Sequence, residues 1–319
     1  MESRDIENIK LSLIIPVYNE VEAIPSFFLK INEVFSSIKA VSIEFVFVND
    51  GSTDQTLNSL LCYQKKDARI RIVDFSRNFG KEAALSAGLR IATGEIVIPL
   101  DVDLQDPPEL IPMMIEKWRQ GYEVVLARRS NRSTDSKFKR ITALYFYRIH
   151  NLMAQPKLPE NVGDFRLLDR RVVDALLSLP ESCRFMKGIF AWVGFRTAYI
   201  DFVRPERSAG NSKFNGWKLW NFALEGITSF STLPLRIWTY LGLIIACLAF
   251  ILGAYVFCQA IFQDIDIPGY ASLLITVTFL GGIQLMGIGI IGEYLGRTYL
   301  EAKRRPLYII RHIFEAEKK

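Results

Sequence analysis

Apolar residues in the first 130 positions form short continuous runs that alternate with longer segments of helical periodicity. Five of these runs have the length and continuity of buried strands, at residues 11–17, 43–48, 70–75, 96–100 and 123–127. The intervening segments predict helices at 23–35, from about 55, at 82–91 and at 110–120. Strands that alternate with helices of this length predict an α/β fold with a doubly wound, mostly parallel sheet.

The C-terminal part of the chain has a different pattern, with two long apolar runs. No charged residue lies between Arg236 and Asp264, and none lies from 267 to 292. Each run exceeds the roughly 20 residues that cross a bilayer, so we predict transmembrane helices at about 236–262 and 268–292. A short acidic connector joins them and basic residues flank the pair. By the positive-inside rule, the N-terminal domain and both termini are cytoplasmic.

These patterns predict an α/β domain, a two-helix transmembrane anchor and a basic cytoplasmic tail, at 1–230, 231–296 and 297–319. The segment at about 215–230 has the composition of an amphipathic juxtamembrane helix, and a helix in the core of the domain is the alternative. Gly292 and Gly296, at G-x-x-x-G spacing, favour close packing either between the two spans or between subunits. We therefore expect a homo-oligomer.

The composition argues against a disulfide-rich protein and a zinc protein. The 319 residues are 50% hydrophobic and carry a net charge of +5. Four cysteines without C-x-x-C spacing and two scattered histidines argue against a disulfide framework and a zinc site, so a reducing compartment is expected. The polar N-terminus lacks the apolar core of a signal peptide.

Polar side chains gather where three of the predicted parallel strands end. Tyr18 follows the first strand, Asp50 the second, and Asp101 and Asp103 the strand at 96–100. Carboxyl ends of such strands share one edge, where open α/β sheets bind ligands. A D-x-D alone is most often a solvated acidic turn. With polar side chains at the neighbouring strand ends, it favours a Mg²⁺ or Mn²⁺ site. The chain lacks G-x-G-x-x-G in its first turn and lacks a Walker A sequence, which argues against those nucleotide folds.

Four ordered motifs make the sequence resemble glycosyltransferase family 2. They are Pro16-Val17-Tyr18-Asn19-Glu20, Asn49-Asp50-Gly51-Ser52, Arg77-Asn78-Phe79-Gly80-Lys81 and Asp101-Val102-Asp103-Leu104-Gln105-Asp106-Pro107-Pro108. Within that family the chain is similar to the polyprenol-phosphate glycosyltransferases related to dolichol-phosphate mannose synthase. It also resembles the bacterial bactoprenol (undecaprenyl-phosphate) glucosyltransferases of O-antigen modification. The resemblance covers almost the whole chain and implies a GT-A-like domain.

The resemblance implies a role for each candidate residue. The nucleotide sugar would contact Pro16, Tyr18, Glu20, Asp50, Lys81, Asp101, Arg207 and Lys213. Mg²⁺ or Mn²⁺ would be held by Asp101, Asp103 and Gln105. Asp103 and Asp164 would lie at the reacting centre, with Asp164 acting either as a base or as a positioning group. A phosphate acceptor has a second pKa near ~6, so it needs little proton removal and the positioning role is favoured.

The segment at 128–140 contains six cations and one acid. A solvated loop and a nucleic-acid patch are alternatives, but aromatic residues are few there and we expect no nucleic-acid partner. A cationic cluster that follows a strand better suits a lipid phosphate. By the resemblance, Arg129 would bind the acceptor phosphate, with Lys139 and Arg140 as further candidates.

The expected reaction is an inverting transfer of glucose from UDP-glucose to undecaprenyl phosphate at the cytoplasmic face of a bacterial inner membrane, for O-antigen or other cell-surface glycosylation. Expected partners are the lipid bilayer, a separate flippase and a downstream glycosyltransferase. Alternative donors are UDP-GlcNAc, a UDP-aminoarabinose derivative and GDP-mannose. The missing Q-x-x-R-W motif disfavours a processive polysaccharide synthase. The retained carboxylates and cations disfavour a non-catalytic membrane scaffold or lipid-binding protein.

Overall fold

The computed structural model describes most of the chain, namely residues 8–36, 38, 41–130, 157, 159, 161–181, 184, 186–203, 231–262 and 269–315. Several sequence predictions lie outside the described residues: the amphipathic helix at 215–230 and the candidates Lys139, Arg140, Arg207 and Lys213.

The N-terminal half alternates strands and helices as the hydrophobic pattern predicts. Its elements are β1 (Ile9–Val17), α1 (Ala23–Ser36), β2 (Val41–Asn49), α2 (Thr56–Gln64), β3 (Ile70–Phe75), α3 (Lys81–Ile91), β4 (Ile96–Pro99), α4 (Ile111–Arg119) and β5 (Val124–Arg129). A 3₁₀ turn at Pro108–Leu110 opens α4, where the two prolines end the preceding loop. Each predicted strand and helix is present, with ends that differ by a few residues.

The second half adds elements that periodicity alone did not predict. These are β6 (Val162–Asp169), α5 (Arg170–Ser178), α6 (Met186–Trp192) and β7 (Thr197–Phe202). Two long helices and a last strand follow, α7 (Leu233–Phe262), α8 (Tyr270–Ala302) and β8 (Ile310–Phe314).

The strands form one 8-stranded mixed sheet in the order β7-β5-β6-β4-β1-β2-β3-β8. Parallel pairs join β1 to β2 and β4, β2 to β3, and β5 to β7. β6 runs antiparallel to β4 and β5, and β8 runs antiparallel to β3. Because β6 runs against its neighbours, its first residues lie at the edge where β4 and β5 end. This direction brings Asp164 to the edge that carries Asp101.

Helices cover both faces of the sheet, as its continuous apolar strands require. Leu13 and Ile15 of β1 pack in the core shared with α1, α2 and α4. Ile14 packs with Leu85 and Leu89 of α3 on the opposite face. Alternate residues of one strand are therefore buried on both sides, which holds the strand ends in fixed positions.

Helices α7 and α8 are each long and apolar enough to cross a membrane. In the windows Leu235–Leu252 and Phe279–Ala302, only 0% and 6% of the residues are buried, whereas a helix in a soluble core is mostly buried. Trp238 packs against Gly287, where any side chain would overlap the indole ring. The Tyr294 hydroxyl donates to the Ser231 carbonyl oxygen at 2.6 Å. The two helices thus meet near the end that joins the α/β domain.

The segment 297–319, predicted as a basic tail, starts within α8 and returns to the sheet as β8. β8 pairs with β3 so that His312 lies opposite Asp74. The Tyr308 ring stacks on Phe75 with 5.0 Å between ring centroids. Arg311 Nη2 donates to the carbonyl oxygen of Ser76 at 2.7 Å. This part of the tail is therefore a strand of the domain sheet. The hydrophobic pattern did not predict this strand because charged residues surround it.

Candidate functional site

A cavity of about 330 Å³ opens at the carboxyl edge of β1, β2 and β4. This volume falls in the range of small-molecule sites. The sequence-predicted residues that line it are Pro16, Tyr18, Glu20, Asp50, Lys81, Asp101 and Asp103. The strand ends do share an edge, as the doubly wound pattern predicts, and the start of α3 completes the wall.

Asp50 holds the loop that precedes α3. Its carboxylate oxygens accept hydrogen bonds from the backbone N–H groups of Phe79 at 2.7 Å and Gly80 at 2.9 Å. Burial raises the pKa of Asp50, and these hydrogen bonds partly offset the rise. Gly51 has a φ of +64°, and a Cβ there would come within 2.6 Å of the backbone nitrogen of Asn78. The Asp50–Gly51 turn therefore sets the position of the loop and of the helix it begins.

Lys81 joins two carboxylates that the sequence analysis assigned to different roles. Its Nζ lies 2.7 Å from Asp101 Oδ1 and 2.9 Å from Asp164 Oδ2. Burial opposes the charge on Lys81, but Asp164 and Asp101 outweigh it and raise its pKa. Burial would also raise the pKa of Asp164, yet Lys81 and then Lys187 lower it to about 2. The ammonium group and Asp164 both stay charged at neutral pH.

Glu82 is a titratable neighbour of this ion pair that was not among the predicted site residues. Its Oε2 accepts a hydrogen bond from the backbone N–H of Met186 at 3.2 Å. Burial, and then the charge of Asp164, raise the pKa of Glu82 from 4.5 to about 7. Its position directly after Lys81 in the sequence was the feature that could have indicated a place near the site. Glu82 changes charge near neutral pH beside a carboxylate that stays ionised.

Replacing Glu82 with glutamine is expected to stabilise the protein at pH 8. The raised pKa means that the fold favours the protonated carboxyl, so this stabilisation is present below pH 4.5 and is lost as the pH rises through about 7. Neutral glutamine avoids the loss, and Glu82→Gln should raise the free energy of unfolding by about 1–3 kcal/mol at pH 8. Unfolding of the detergent-solubilised protein at pH 4.5 and pH 8 measures the difference, with exposed Glu116→Gln as control. An equal gain at both pH values would contradict the raised pKa.

Asp103 is the exposed carboxylate of the predicted metal site. Its Oδ1 accepts a hydrogen bond from the backbone N–H of Gln105 at 3.2 Å, and the Gln105 side-chain amide contacts its other oxygen. Among the described residues, no group of three or more His, Cys, Asp or Glu side chains is arranged to hold a metal. Asp101 and Asp103 nevertheless suit Mg²⁺ or Mn²⁺, because Mg²⁺ is usually held by one or two carboxylates together with substrate phosphates.

Arg129 lies at the end of β5, beside the start of β6. Its backbone N–H donates to the carbonyl oxygen of Asn161 at 3.0 Å. Its Nη2 lies 3.9 Å from Oδ1 of Asp106, whose side chain is 8% exposed. Asp106 was not among the predicted site residues, although it is the third carboxylate of the motif at 101–108. Asp106 gives Arg129 an ionic partner near the strand that carries Asp164.

The sequence matches the patterns of two known protein families, and one of the matches spans the cavity at the sheet edge. The sequence pattern of glycosyl transferase family 2 matches residues 12–177, which contain the whole lining of the cavity. This chain belongs to glycosyl transferase family 2. A second pattern, the GtrB C-terminal hairpin, matches residues 233–298 and covers most of α7 and α8. The family resemblance inferred from the motifs is confirmed.

Two curated relatives align with this family 2 chain over nearly its whole length. The prophage bactoprenol glucosyl transferase homolog of Escherichia coli K12 is 55% identical over 95% of this chain and 99% of its own. The bactoprenol glucosyl transferase of Shigella phage SfV is 54% identical over 95% of this chain and 98% of its own.

A solved structure has a similar overall fold. It is glucosyl-3-phosphoglycerate synthase from Mycobacterium tuberculosis, in complex with Mn²⁺, UDP and phosphoglyceric acid. The TM-score is 0.51 with 20% sequence identity, over 69% of this chain and 76% of that one. The likeness confirms the predicted GT-A-like, mostly parallel α/β sheet.

Proposed function

We propose that this family 2 glycosyltransferase transfers glucose from UDP-glucose to bactoprenol (undecaprenyl) phosphate, with inversion at the anomeric carbon. The observation that carries the proposal is the 55% identity to a bactoprenol glucosyl transferase homolog over 95% of the chain. The alignment includes both the α/β domain and the helix pair, so the similarity extends beyond the nucleotide-binding half. The cavity at the sheet edge supports the same reaction.

The donor would lie across the ends of β1, β2 and β4. Pro16, Tyr18 and Glu20 would contact the uridine, with the Asp50 turn behind them. Asp101, Asp103 and Gln105 would hold Mg²⁺ or Mn²⁺, which when bound neutralises the charge that develops on the leaving diphosphate. Lys81 keeps Asp101 in position through their 2.7 Å ion pair.

The acceptor phosphate brings its own nucleophilic oxygen. A phosphate monoester is largely dianionic above its second pKa of ~6. Asp164, with a pKa of about 2, is a weak base at neutral pH and remains ionised. We therefore assign Asp164 to positioning through Lys81, and Arg129 to binding the acceptor phosphate through its guanidinium fork. Asp106 would orient that guanidinium group from 3.9 Å.

The return of β8 to the sheet supports a membrane hairpin with both ends on one side. The α/β domain precedes α7, and β8 follows α8 yet pairs with β3. Two crossings are consistent with this pairing, whereas a single crossing would leave β8 on the far side. We place the domain on the cytoplasmic face, because Arg236 and the basic residues 303–305 flank the hairpin there. The polyprenyl tail of the acceptor would then stay in the bilayer while its phosphate reaches the sheet edge.

A transfer assay with a panel of donors tests the proposal. Purified full-length protein with Mg²⁺ or Mn²⁺ should transfer labelled glucose from UDP-glucose to undecaprenyl phosphate. UDP-GlcNAc, a UDP-aminoarabinose derivative and GDP-mannose should react at least roughly tenfold more slowly, because sugar hydroxyl contacts discriminate strongly. A faster reaction with another donor would replace the sugar and keep the reaction class. A lack of transfer from every donor would overturn the proposal.

The same assay in sealed vesicles reports the orientation. UDP-glucose does not cross a bilayer, so inverted vesicles should form product without detergent and right-side-out vesicles should need permeabilisation. The opposite dependence would place the domain on the outer face.

A further inference from the structure

A second cavity, which we call the arginine cleft, lies between the end of α8 and the α/β domain and has a volume of about 950 Å³. Its walls are the last turn of α3, the loop after α5 and the segment between α8 and β8. No lining residue is shared with the cavity at the sheet edge. Lys81 begins α3 and Arg90 lies in its last turn. At ~1.5 Å per residue, the two positions are about 13 Å apart along the helix.

The arginine cleft carries an excess of positive charge. It is lined by Arg90, Arg184, Arg304 and Arg305, and its acidic residues are Glu181 and Glu301. Among the described residues, Arg90 and Arg305 are exposed and form no ion pair. Exposed guanidinium groups that line one concave surface favour an anionic ligand, and their planar forks match phosphate oxygens.

Arg184 is buried, with 7% of its surface exposed. Its Nη2 donates to the carbonyl oxygen of Leu179 at 2.9 Å, and its Nε donates to that of Glu181 at 3.2 Å. Its Nη1 is buried without a hydrogen-bond partner in the described part of the chain. Burial, and then the nearby charge of Arg90, lower the pKa of Arg184.

A buried guanidinium whose hydrogen bonds in the described residues go to neutral carbonyl oxygens is costly unless anionic groups balance its charge. The Glu181 carboxylate offsets part of this cost through its charge, but burial outweighs it and the hydrogen bond from Arg184 goes to the Glu181 backbone carbonyl oxygen. The buried cation and the exposed arginines around it therefore favour the same class of ligand.

We propose that the arginine cleft binds the phosphate group of an anion, supplied by the headgroup of an anionic phospholipid. The position of the cleft favours this source, because Glu301, Arg304 and Arg305 lie at the end of the apolar helix α8. Basic residues that follow a membrane helix attract anionic headgroups. A lipid bound there would hold the α/β domain against the membrane surface beside the hairpin.

Binding by the full-length protein in a neutral detergent tests the proposal. The ligands are short-chain phosphatidylglycerol, short-chain phosphatidylcholine and inorganic phosphate, with bound molecules counted by native mass spectrometry. Phosphatidylglycerol should bind at least roughly tenfold more tightly than phosphatidylcholine. If inorganic phosphate binds as tightly as phosphatidylglycerol, the phosphate site stands and its source is a free anion. Equal binding of the two lipids, with none of phosphate, would overturn the proposal.

Paired variants locate the site. Arg90→Gln combined with Arg305→Gln should weaken phosphatidylglycerol binding roughly tenfold or more, because two exposed cations that line the cleft are lost. Lys65→Gln combined with Lys66→Gln removes the same charge from an exposed turn after α2 and should leave binding unchanged. Arg184 is left intact because a buried residue risks the fold. An equal loss in both double variants would show a general charge effect and refute the cleft.

Discussion

Asp103→Asn is expected to reduce glucosyl transfer by about 10²–10³-fold while the protein stays folded. Asp103 lines the cavity and is exposed, and its described hydrogen bonds are with Gln105. The substitution keeps the size of the side chain and removes one negative charge from the proposed metal site. A cation held by one carboxylate would be bound more weakly, and the leaving diphosphate would lose part of its stabilisation.

The rate constant of transfer and the dependence on Mn²⁺ concentration measure this effect together. The variant should need more metal for half-maximal activity, which a purely structural defect would not produce. Asp174→Asn is the matched control, since its side chain is 63% exposed on α5. A near-normal rate for Asp103→Asn would remove Asp103 from the metal site.

Lys81→Gln is expected to lower transfer by roughly 100-fold and to move the acid limb of the pH–rate profile upward. Asp101 and Asp164 both contact the ammonium group, at 2.7 and 2.9 Å. Without that cation, only Lys187 and Arg166 would oppose the effect of burial, so the pKa of Asp164 should rise from about 2. Lys81 is 44% exposed, so solvent screens part of the loss, and we expect destabilisation of about 1–3 kcal/mol.

Lys81→Arg keeps the charge and should recover part of the activity and all of the pH profile. The exposed Lys65→Gln serves as a control for a lost surface charge. If Lys81→Gln lowers the rate equally at all pH values, then Lys81 does not set the pKa of Asp164. Its role would then be limited to direct contact with the substrate.

The strands β1 to β5 and the site residues that follow β1, β2 and β4 were predictable because they depend on local patterns. Continuous apolar runs predict buried strands, and strands of one parallel sheet end at one edge. Asp50, Asp101 and Asp103 therefore meet in the structure as the sequence predicts. The motifs after these strands also predicted the family, since the pattern of family 2 matches residues 12–177.

The contacts between distant segments were not predictable in the same way. Asp164 came to the site by resemblance alone, because its strand enters the sheet antiparallel after a long connection. The bridge from Lys81 to both carboxylates depends on that strand order. Likewise, the pKa of Glu82 depends on burial and on the charge of Asp164, neither of which has a local sequence signal.

The position of β8 also determines when the domain can finish folding. β3 is made early in synthesis, and its partner strand Ile310–Phe314 is made after both apolar helices. Until then, one edge of β3 has no strand beside it, and an open edge is a template for incorrect pairing. Both helices are synthesised before β8, so in the proposed membrane hairpin their insertion would precede the last step of domain folding. Loss of the final ten residues would therefore leave the helices intact and the sheet open at β3.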